Sequence, residues 1–103
     1  MLCDFDYIII GAGSAGCVLA DKLTVSGKNT VLLIEAGPSD NKFWIKTPIG
    51  YGITFTDRSI NWCYNTLPEK NLNNRIIYMP RGKVLGGSSS INALVYHRGQ
   101  SKD

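Results

Sequence analysis

Three glycines near the start of the chain, Gly11, Gly13 and Gly16, have the GxGxxG spacing of a turn that binds a pyrophosphate. Gly11 allows a tight turn, and Gly13 lets the backbone approach a phosphate because it has no Cβ. Gly16 lets the helix that follows pack closely on the preceding strand. The N–H groups and the positive dipole end of such a helix favour an anion. The spacing therefore predicts a phosphate-binding turn.

An acidic residue, Glu35, follows Gly11 by 24 residues and ends a second apolar run. This separation is close to the ~20 residues that are typical between the turn and the acid that binds a ribose. A carboxylate at this position accepts hydrogen bonds from ribose hydroxyls and repels a 2′-phosphate, which disfavours an NADP-type cofactor. Together the turn and Glu35 predict a dinucleotide site, but they do not distinguish FAD from NAD.

The elements that would position these groups occur in the required order. Residues 7–10 are apolar and β-branched, which predicts a buried parallel strand. A helix is predicted from Ser14 to a stop at Gly27, and a second strand over residues 30–34. The expected fold class is therefore α/β, with a Rossmann-like FAD- or NAD-binding βαβ unit over about residues 5–37.

A second glycine-rich segment covers residues 80–92. Gly82, Gly86 and Gly87 leave the backbone bare, and Arg81 and Lys83 add positive charge, with a serine triplet following. Such a segment can lie against a phosphate chain or a flat ring without steric conflict. A flexible Gly/Ser linker is the alternative. Against it, the apolar run at 91–96 follows directly, and we expect this run to enter a core.

The two glycine-rich segments together resemble the N-terminal portion of the glucose–methanol–choline (GMC) flavoprotein oxidoreductases, and the choline dehydrogenase and alcohol dehydrogenase branch is the most similar. Residues 6–16 resemble the opening strand and phosphate turn of that family, and residues 35–37 resemble its ribose-binding acid followed by Ala-Gly. Residues 61–69 resemble the segment before the second signature. Residues 80–92, with Tyr96, resemble a long diagnostic pattern of the family.

The resemblance implies that the protein binds FAD and oxidises a small alcohol to a carbonyl, with hydride passing to the flavin. It also implies which residues bind the cofactor. The pyrophosphate would contact Gly11, Ala12, Gly13, Ser14 and Ala15, and the adenosine ribose would contact Glu35 with Ala36 beside it. Residues expected along the pyrophosphate and the flavin are Trp62, Arg81, Gly82, Val84, Gly87, Ser88, Asn92, Ala93, Leu94 and Val95.

Two departures from the family pattern carry further expectations. Some choline-oxidising members have a histidine just before the asparagine, and that histidine links covalently to the flavin. Ile91 occupies this position and has no nucleophile, so the FAD is expected to be non-covalent. The family's general base is a histidine near the C-terminus, whereas His97 is the single histidine of this chain. We therefore assign no catalytic residue to the chain, and expect it to be inactive in isolation.

The remaining organisation indicates an incomplete domain. Residues 38–79 contain Pro48, Pro68 and many Asn, which predicts long loops with short strands that cover the cofactor. Residues 80–99 then form the second flavin-binding segment. A doubly wound sheet needs several parallel strands and only two are predicted. We therefore expect the chain to be the N-terminal piece of a longer protein.

Composition excludes several classes of function. The net charge of +3 is scattered, with no basic stripe, which argues against nucleic acid as a partner. No apolar run approaches the ~18–20 residues of a membrane span, and no signal peptide is recognisable, so a cytoplasmic location is expected. Cys3, Cys17 and Cys63 show no CxxC spacing and are expected to be reduced thiols, without a metal site.

Two alternatives to an FAD-dependent alcohol oxidoreductase stay open on the residues alone. A NAD-dependent Rossmann dehydrogenase would account for the first glycine turn, but it leaves residues 81–92 unexplained. A non-catalytic nucleotide-binding module of this length is the other alternative.

Overall fold

The computed structural model describes residues 4–102 and has an α/β fold. Strand β1 (Tyr7–Ile10) is followed by helix α1 (Ser14–Thr24) and strand β2 (Val31–Ile34). The two strands pair in parallel, with Tyr7 opposite Val31 and Ile10 opposite Ile34. The predicted order of strand, helix and strand is therefore present, and the carboxyl ends of both strands lie at the same edge of the sheet.

Helix α1 starts directly after Gly13 and packs closely on β1. A Cβ on Gly16 would lie 1.9 Å from the carbonyl oxygen of Gly11, so only glycine permits this approach. The helix ends at Thr24, three residues before the predicted stop. Gly27 instead adopts a left-handed φ of +68° in the turn to β2, a conformation that glycine accepts without strain.

Strand β1 is open to solvent within the described residues. Ile8 and Ile10 are 61% and 86% exposed, and Ile34 on β2 is 44% exposed. Helix α1 packs against both strands, while no other described element covers this two-stranded sheet. The apolar residues of the two strands therefore form an open apolar surface.

The segment between β2 and the second glycine signature is more helical than expected. It contains helices α2 (Phe43–Lys46) and α3 (Tyr51–Thr54), joined by a 3₁₀ turn at Pro48–Gly50. Strands β3 (Tyr64–Asn65) and β4 (Tyr78–Met79) then form a short antiparallel pair. The prediction of long loops with short strands thus missed the two helical turns, because each is only four residues long and has no measurable periodicity.

The best-buried apolar cluster lies outside the βαβ unit. Ile60, Val84 and Ile91 pack together with at most 3% exposure, and Ile45 on α2 covers them. The rest of the apolar run at 91–96 does not enter this core, contrary to expectation, because Leu94, Val95 and Tyr96 are all largely exposed. Only the first residue of that run anchors the second glycine-rich segment.

A buried asparagine connects the helical segment to this core. The Asn61 side chain donates a hydrogen bond from Nδ2 to the Phe55 carbonyl at 2.9 Å. Its Oδ1 accepts from the backbone N–H of Cys63 at 2.9 Å and of Arg81 at 3.0 Å. Because a buried amide is costly unless its hydrogen bonds are made, Asn61 fixes the chain that enters the second glycine-rich segment.

Candidate cofactor-binding site

The two glycine-rich segments, far apart in sequence, are in direct contact. The backbone N–H of Gly86 donates to the Ala12 carbonyl at 2.7 Å. A Cβ on Gly87 would lie 2.8 Å from the Cα of Gly13, and Gly87 has a left-handed φ of +59°. Glycine is required at position 87 for both reasons. The first turn and the second segment therefore form one continuous backbone surface.

Glu35 joins the end of β2 to the turn that follows β1. Its Oε2 accepts the backbone N–H of Ala12 at 2.8 Å, and its Oε1 accepts that of Gly37 at 3.1 Å. The thiol of Cys17 donates to the Ala12 carbonyl at 3.2 Å, so the fully buried Ala12 is held at both its N–H and its C=O. Each carboxylate oxygen keeps further acceptor capacity for a ligand hydroxyl.

A cleft of about 450 Å³ runs along this junction. The carboxyl ends of β1 and β2 form one side, and the second glycine-rich segment forms the other. Its lining residues are Ile10, Gly11, Gly13, Ile34, Glu35, Ala36, Trp62, Gly82, Gly87 and Ser88. Eight of the residues that the family resemblance implied are among them: Gly11, Gly13, Glu35, Ala36, Trp62, Gly82, Gly87 and Ser88.

The end of the cleft at the N-terminus of α1 fits an anion. Gly13 is the N-cap of α1, and neither a capping side chain nor an acidic residue in the first turn occupies that helix end. A Cβ built on Gly13 would meet no atom within 4 Å, so the space in front of it is open. The first N–H groups of a helix have no intrahelical partner, and they suit a phosphate.

Close backbone packing shapes the opposite wall of the cleft. A Cβ on Gly82 would lie 2.2 Å from the Gly87 carbonyl, and a Cβ on Gly37 would lie 1.8 Å from the Lys83 carbonyl. The N–H of Gly82 also donates to Ser88 Oγ at 3.1 Å. The glycines here serve mainly to bring three chain segments together, so that backbone and small hydroxyls face the cleft.

Two aromatic rings and a lysine lie together at the same wall. Trp62 lines the cleft, and its ring stacks on Tyr64 with a centroid separation of 5.9 Å and an interplanar angle of 5°. The Lys83 Nζ lies 5.1 Å from the centroid of the Trp62 ring, which is a cation–π distance. Trp62 was expected beside the cofactor, whereas Lys83 was expected only to add positive charge.

Several of the implied residues do not line the cleft. Val84 is fully buried in the core cluster, because its aliphatic side chain is better packed against Ile60 than exposed to a polar ligand. Ala12 is likewise fully buried. The others lie elsewhere on the surface: Ser14 and Ala15 at the start of α1, Val95 in the exposed tail, and Arg81, Asn92, Ala93 and Leu94 around two smaller cavities.

Other candidate chemistry can be located within residues 4–102. His97 is exposed and does not line the cleft. Cys17 and Cys63 are unpaired thiols, whereas Cys3 lies outside the described residues. Within the same range, no group of three or more His, Cys, Asp or Glu side chains is arranged to hold a metal. None of the described helices has the length and apolar character that a membrane span requires.

Comparison with known proteins gives a consistent assignment. The GMC oxidoreductase family model matches residues 5–103. The chain is 50% identical to an alcohol dehydrogenase [acceptor] from Pseudomonas putida, over 96% of this chain and 18% of the relative. It is 46% identical to the mitochondrial choline dehydrogenase of Homo sapiens, over 97% of this chain and 18% of the relative.

Solved structures agree with these relatives. Pyridoxine 4-oxidase from Mesorbium loti superposes with a TM-score of 0.85 at 35% identity, over 96% of this chain and 19% of that one. A formate oxidase gives a TM-score of 0.77 at 36% identity, over 85% of this chain and 16% of that one. The chain spans less than a fifth of the length of these proteins. The chain belongs to the GMC oxidoreductase family, and membership of that family implies a flavin cofactor.

Proposed function

We propose that the protein carrying this chain is an FAD-dependent oxidoreductase that acts on CH–OH groups, and that this chain supplies the phosphate- and ribose-binding part of a Rossmann-like FAD site. The observation that carries the proposal is the single cleft in which Gly13, Glu35 and Gly87 converge. An open helix N-terminus, a carboxylate and a bare backbone wall suit the pyrophosphate, the ribose and the rest of an extended dinucleotide.

The assignment of individual contacts follows the cleft. The backbone at Gly11 and Gly13 would bind the pyrophosphate, and the free acceptor capacity of Glu35 would bind the adenosine ribose next to Ala36. Gly82, Gly87 and Ser88 would lie along the remaining length of FAD, with Trp62 beside them. The side chains of Ala12 and Val84 would act from the core, by holding the backbone in place.

FAD is preferred over NAD for two reasons. The family match extends through the second glycine-rich segment, which a NAD-dependent dehydrogenase leaves unexplained. That segment forms one wall of the cleft, which supports a role in the site over that of a linker. Among the structural neighbours, a formate oxidase from Aspergillus oryzae has an FAD that undergoes modification. A free-standing nucleotide-binding module would not account for this likeness.

Non-covalent attachment is supported by the surroundings of Ile91. Its side chain is aliphatic and 97% buried, in contact with the core cluster of Ile60 and Val84. A side chain in this position offers no nucleophile to a flavin. We therefore propose that FAD is retained through the hydrogen bonds and packing of the cleft alone.

When bound, FAD supplies the hydride acceptor for oxidation of an alcohol to a carbonyl. The residues of this chain bind and orient the cofactor and exclude water from the phosphate end of the cleft. The family resemblance implies a histidine base near the C-terminus of the whole protein, and we assign that role to no residue here. His97 is exposed and away from the cleft, which supports this separation of binding from proton abstraction.

The names of the relatives define the substrates to test. They include an alcohol dehydrogenase, choline dehydrogenases and a pyridoxine 4-oxidase. We propose a small primary alcohol as the substrate class, and these names supply a panel of choline, simple aliphatic alcohols and pyridoxine.

The experiment is to purify the full-length protein and record its visible spectrum. We expect the two absorption bands of oxidised flavin, complete release of the flavin on acid precipitation, and identification of the released compound as FAD by chromatography. Anaerobic addition of the correct alcohol should then bleach the flavin. A colourless protein that binds NAD would contradict the proposal, and flavin that stays with the precipitate would contradict non-covalent binding.

A further inference from the structure

We propose that Lys83 is a positioning residue for the cofactor: its ammonium holds the Trp62 ring in place as a wall of the cleft. The inference rests on the proposed function, since it concerns how the cleft retains FAD. Its basis is the 5.1 Å distance between the Lys83 Nζ and the centroid of the Trp62 ring. Tryptophan is the most favourable aromatic partner for a cation in this geometry.

The backbone brings the two residues together and leaves little freedom in their separation. The backbone N–H of Trp62 donates to the Arg81 carbonyl at 2.9 Å, and that of Lys83 donates to the Ile60 carbonyl at 2.8 Å. Between these bonds, Asn61 and Gly82 form an antiparallel bridge. Trp62 and Lys83 therefore sit as near neighbours on two paired segments, an arrangement that favours contact between their side chains.

A second contact fixes the orientation of the indole. The Tyr64 ring is parallel to it within 5°, at a centroid distance of 5.9 Å. Trp62 is nevertheless 44% exposed and lines the cleft, so its position depends on Tyr64 and Lys83 and not on burial in a core. Loss of either contact would leave a large ring free to rotate at the edge of the cofactor.

Lys83 has no competing ionic partner in the described part of the chain. The ion pairs found there join Lys22 to Asp21, Lys42 to Asp57 and Lys46 to Asp40. The Lys83 carbonyl is packed against Gly37, which ties the lysine to the turn that follows Glu35.

The competing explanation is that the ammonium acts directly on the cofactor's phosphates, and this alternative predicts a different pattern of variant effects.

The test is a double-mutant cycle on FAD retention by the full-length protein. The variants are Lys83→Met, Trp62→Leu and the double variant, with Lys83→Arg as the conservative replacement. Lys28→Met is the matched control, because Lys28 lies in the exposed turn before β2, at the opposite end of the sheet from the cleft. The measurement is the dissociation constant of FAD, obtained from flavin fluorescence after dilution of the holoprotein.

We expect Lys83→Met to weaken FAD binding by about 2–5-fold, the range of an exposed cation–π contact. Lys28→Met should bind FAD as the wild type does, and Lys83→Arg, which keeps a cation near the ring, should lose less than Lys83→Met. In the Trp62→Leu background, Lys83→Met should cause no further loss, because its partner ring is gone. Trp62→Phe keeps a weaker aromatic partner, so in that background the effect of Lys83→Met should be smaller than in the wild type. If Trp62→Leu does not fold, Trp62→Phe replaces it in the cycle.

Two outcomes would overturn the inference. An equal loss on Lys83→Met with and without the Trp62 ring would mean that the ammonium acts on the phosphates directly. Unchanged FAD binding by Lys83→Met would mean that the ring needs no cation. If the wild-type protein binds no FAD, the proposed function itself is wrong. This outcome is distinguishable from a failure of the Lys83 proposal, because it is seen before any variant is compared.

Discussion

Glu35 accepts a hydrogen bond from the backbone N–H of Ala12 at 2.8 Å. This bond joins the carboxyl end of β2 to the turn after β1, so the backbone holds the Glu35 carboxylate in position. A carboxylate was expected here as a ribose ligand, and it also fixes the phosphate-binding turn. The residue therefore couples the two ends of the proposed nucleotide site.

Replacement of Glu35 by Ala tests this coupling. The variant loses the acceptors for Ala12 and Gly37 together with the ribose contact, so we expect FAD binding by the full-length protein to weaken by roughly 1–3 kcal/mol. Glu69→Ala is the control, because Glu69 accepts a backbone N–H from Asn71 in a turn away from the cleft. Wild-type flavin content in Glu35→Ala would contradict the assignment.

Gly13 and Gly16 should respond differently to the same substitution. A Cβ on Gly13 meets only open space, whereas one on Gly16 would lie 1.9 Å from the Gly11 carbonyl. We expect Gly13→Val to yield folded protein with little FAD, and Gly16→Val to reduce the yield of folded protein. Circular dichroism and flavin content, measured on both variants, separate these effects. Full flavin content in Gly13→Val would place the pyrophosphate elsewhere.

The Lys42–Asp57 pair predicts a loss of stability in acid. Hydrogen bonds from Lys42, at 2.7 Å, and from the Ser59 hydroxyl lower the pKa of the Asp57 carboxyl from 3.8 to about 2. Because the pKa is lower in the folded state, the pair stabilises the protein above pH ~4, and this contribution is lost as the pH falls towards 2. Both side chains are partly exposed, so we expect less than about 1 kcal/mol.

The measurement is urea unfolding of the full-length protein, as wild type and as Asp57→Asn, at pH 7 and pH 3. We expect the variant to be less stable at pH 7 and the difference to shrink at pH 3. Asp21→Asn, which removes the same charge from an exposed pair with Lys22, serves as control. A difference between wild type and Asp57→Asn that stays constant with pH would show that the ionised pair contributes nothing.

Residues 1–103 alone are expected to fold poorly. The described residues 4–102 have a radius of gyration of 17.4 Å, whereas a compact domain of about this length has about 13 Å. Ile8 and Ile10 on the open sheet lack cover, and such surfaces associate. Thermal unfolding followed by circular dichroism should therefore show a broad, non-cooperative change. A sharp transition would contradict this expectation.

His97→Ala tests the separation of binding from chemistry. General-base assistance is typically worth ~10²–10⁴ in rate, so loss of a true base is easily seen. Since His97 is exposed and away from the cleft, we expect the rate of anaerobic flavin reduction in the full-length protein to stay within about a factor of ten. Abolished reduction would give His97 a catalytic role.

The positions predicted correctly from the sequence are those at which local backbone geometry requires a particular residue type. The glycine spacing predicted the turn before α1, and the acid at the end of the second apolar run predicted Glu35 at the cleft. Gly16 was expected to allow close helix packing, which its contact with Gly11 confirms. In each case local geometry decides the outcome, so tertiary context changes little.

The remaining features depend on contacts between distant segments. Val84 was expected beside the cofactor but is buried, because Ile60 and Ile91 reach it from elsewhere in the chain. Asn61 gave no signal of its role, since its four hydrogen bonds come from three separate stretches. The Lys83–Trp62 contact likewise needs the bridge between Asn61 and Gly82, which no periodicity predicts.

The contact between Gly13 and Gly87 also has a consequence for biosynthesis. The phosphate turn leaves the ribosome early, while the wall that faces it is made much later. A nascent chain therefore cannot enclose the cofactor until Gly87 has emerged, however early β1 and β2 pair. In the proposed site, the phosphate-facing turn and the wall opposite it are therefore complete only after the second glycine-rich segment has been translated.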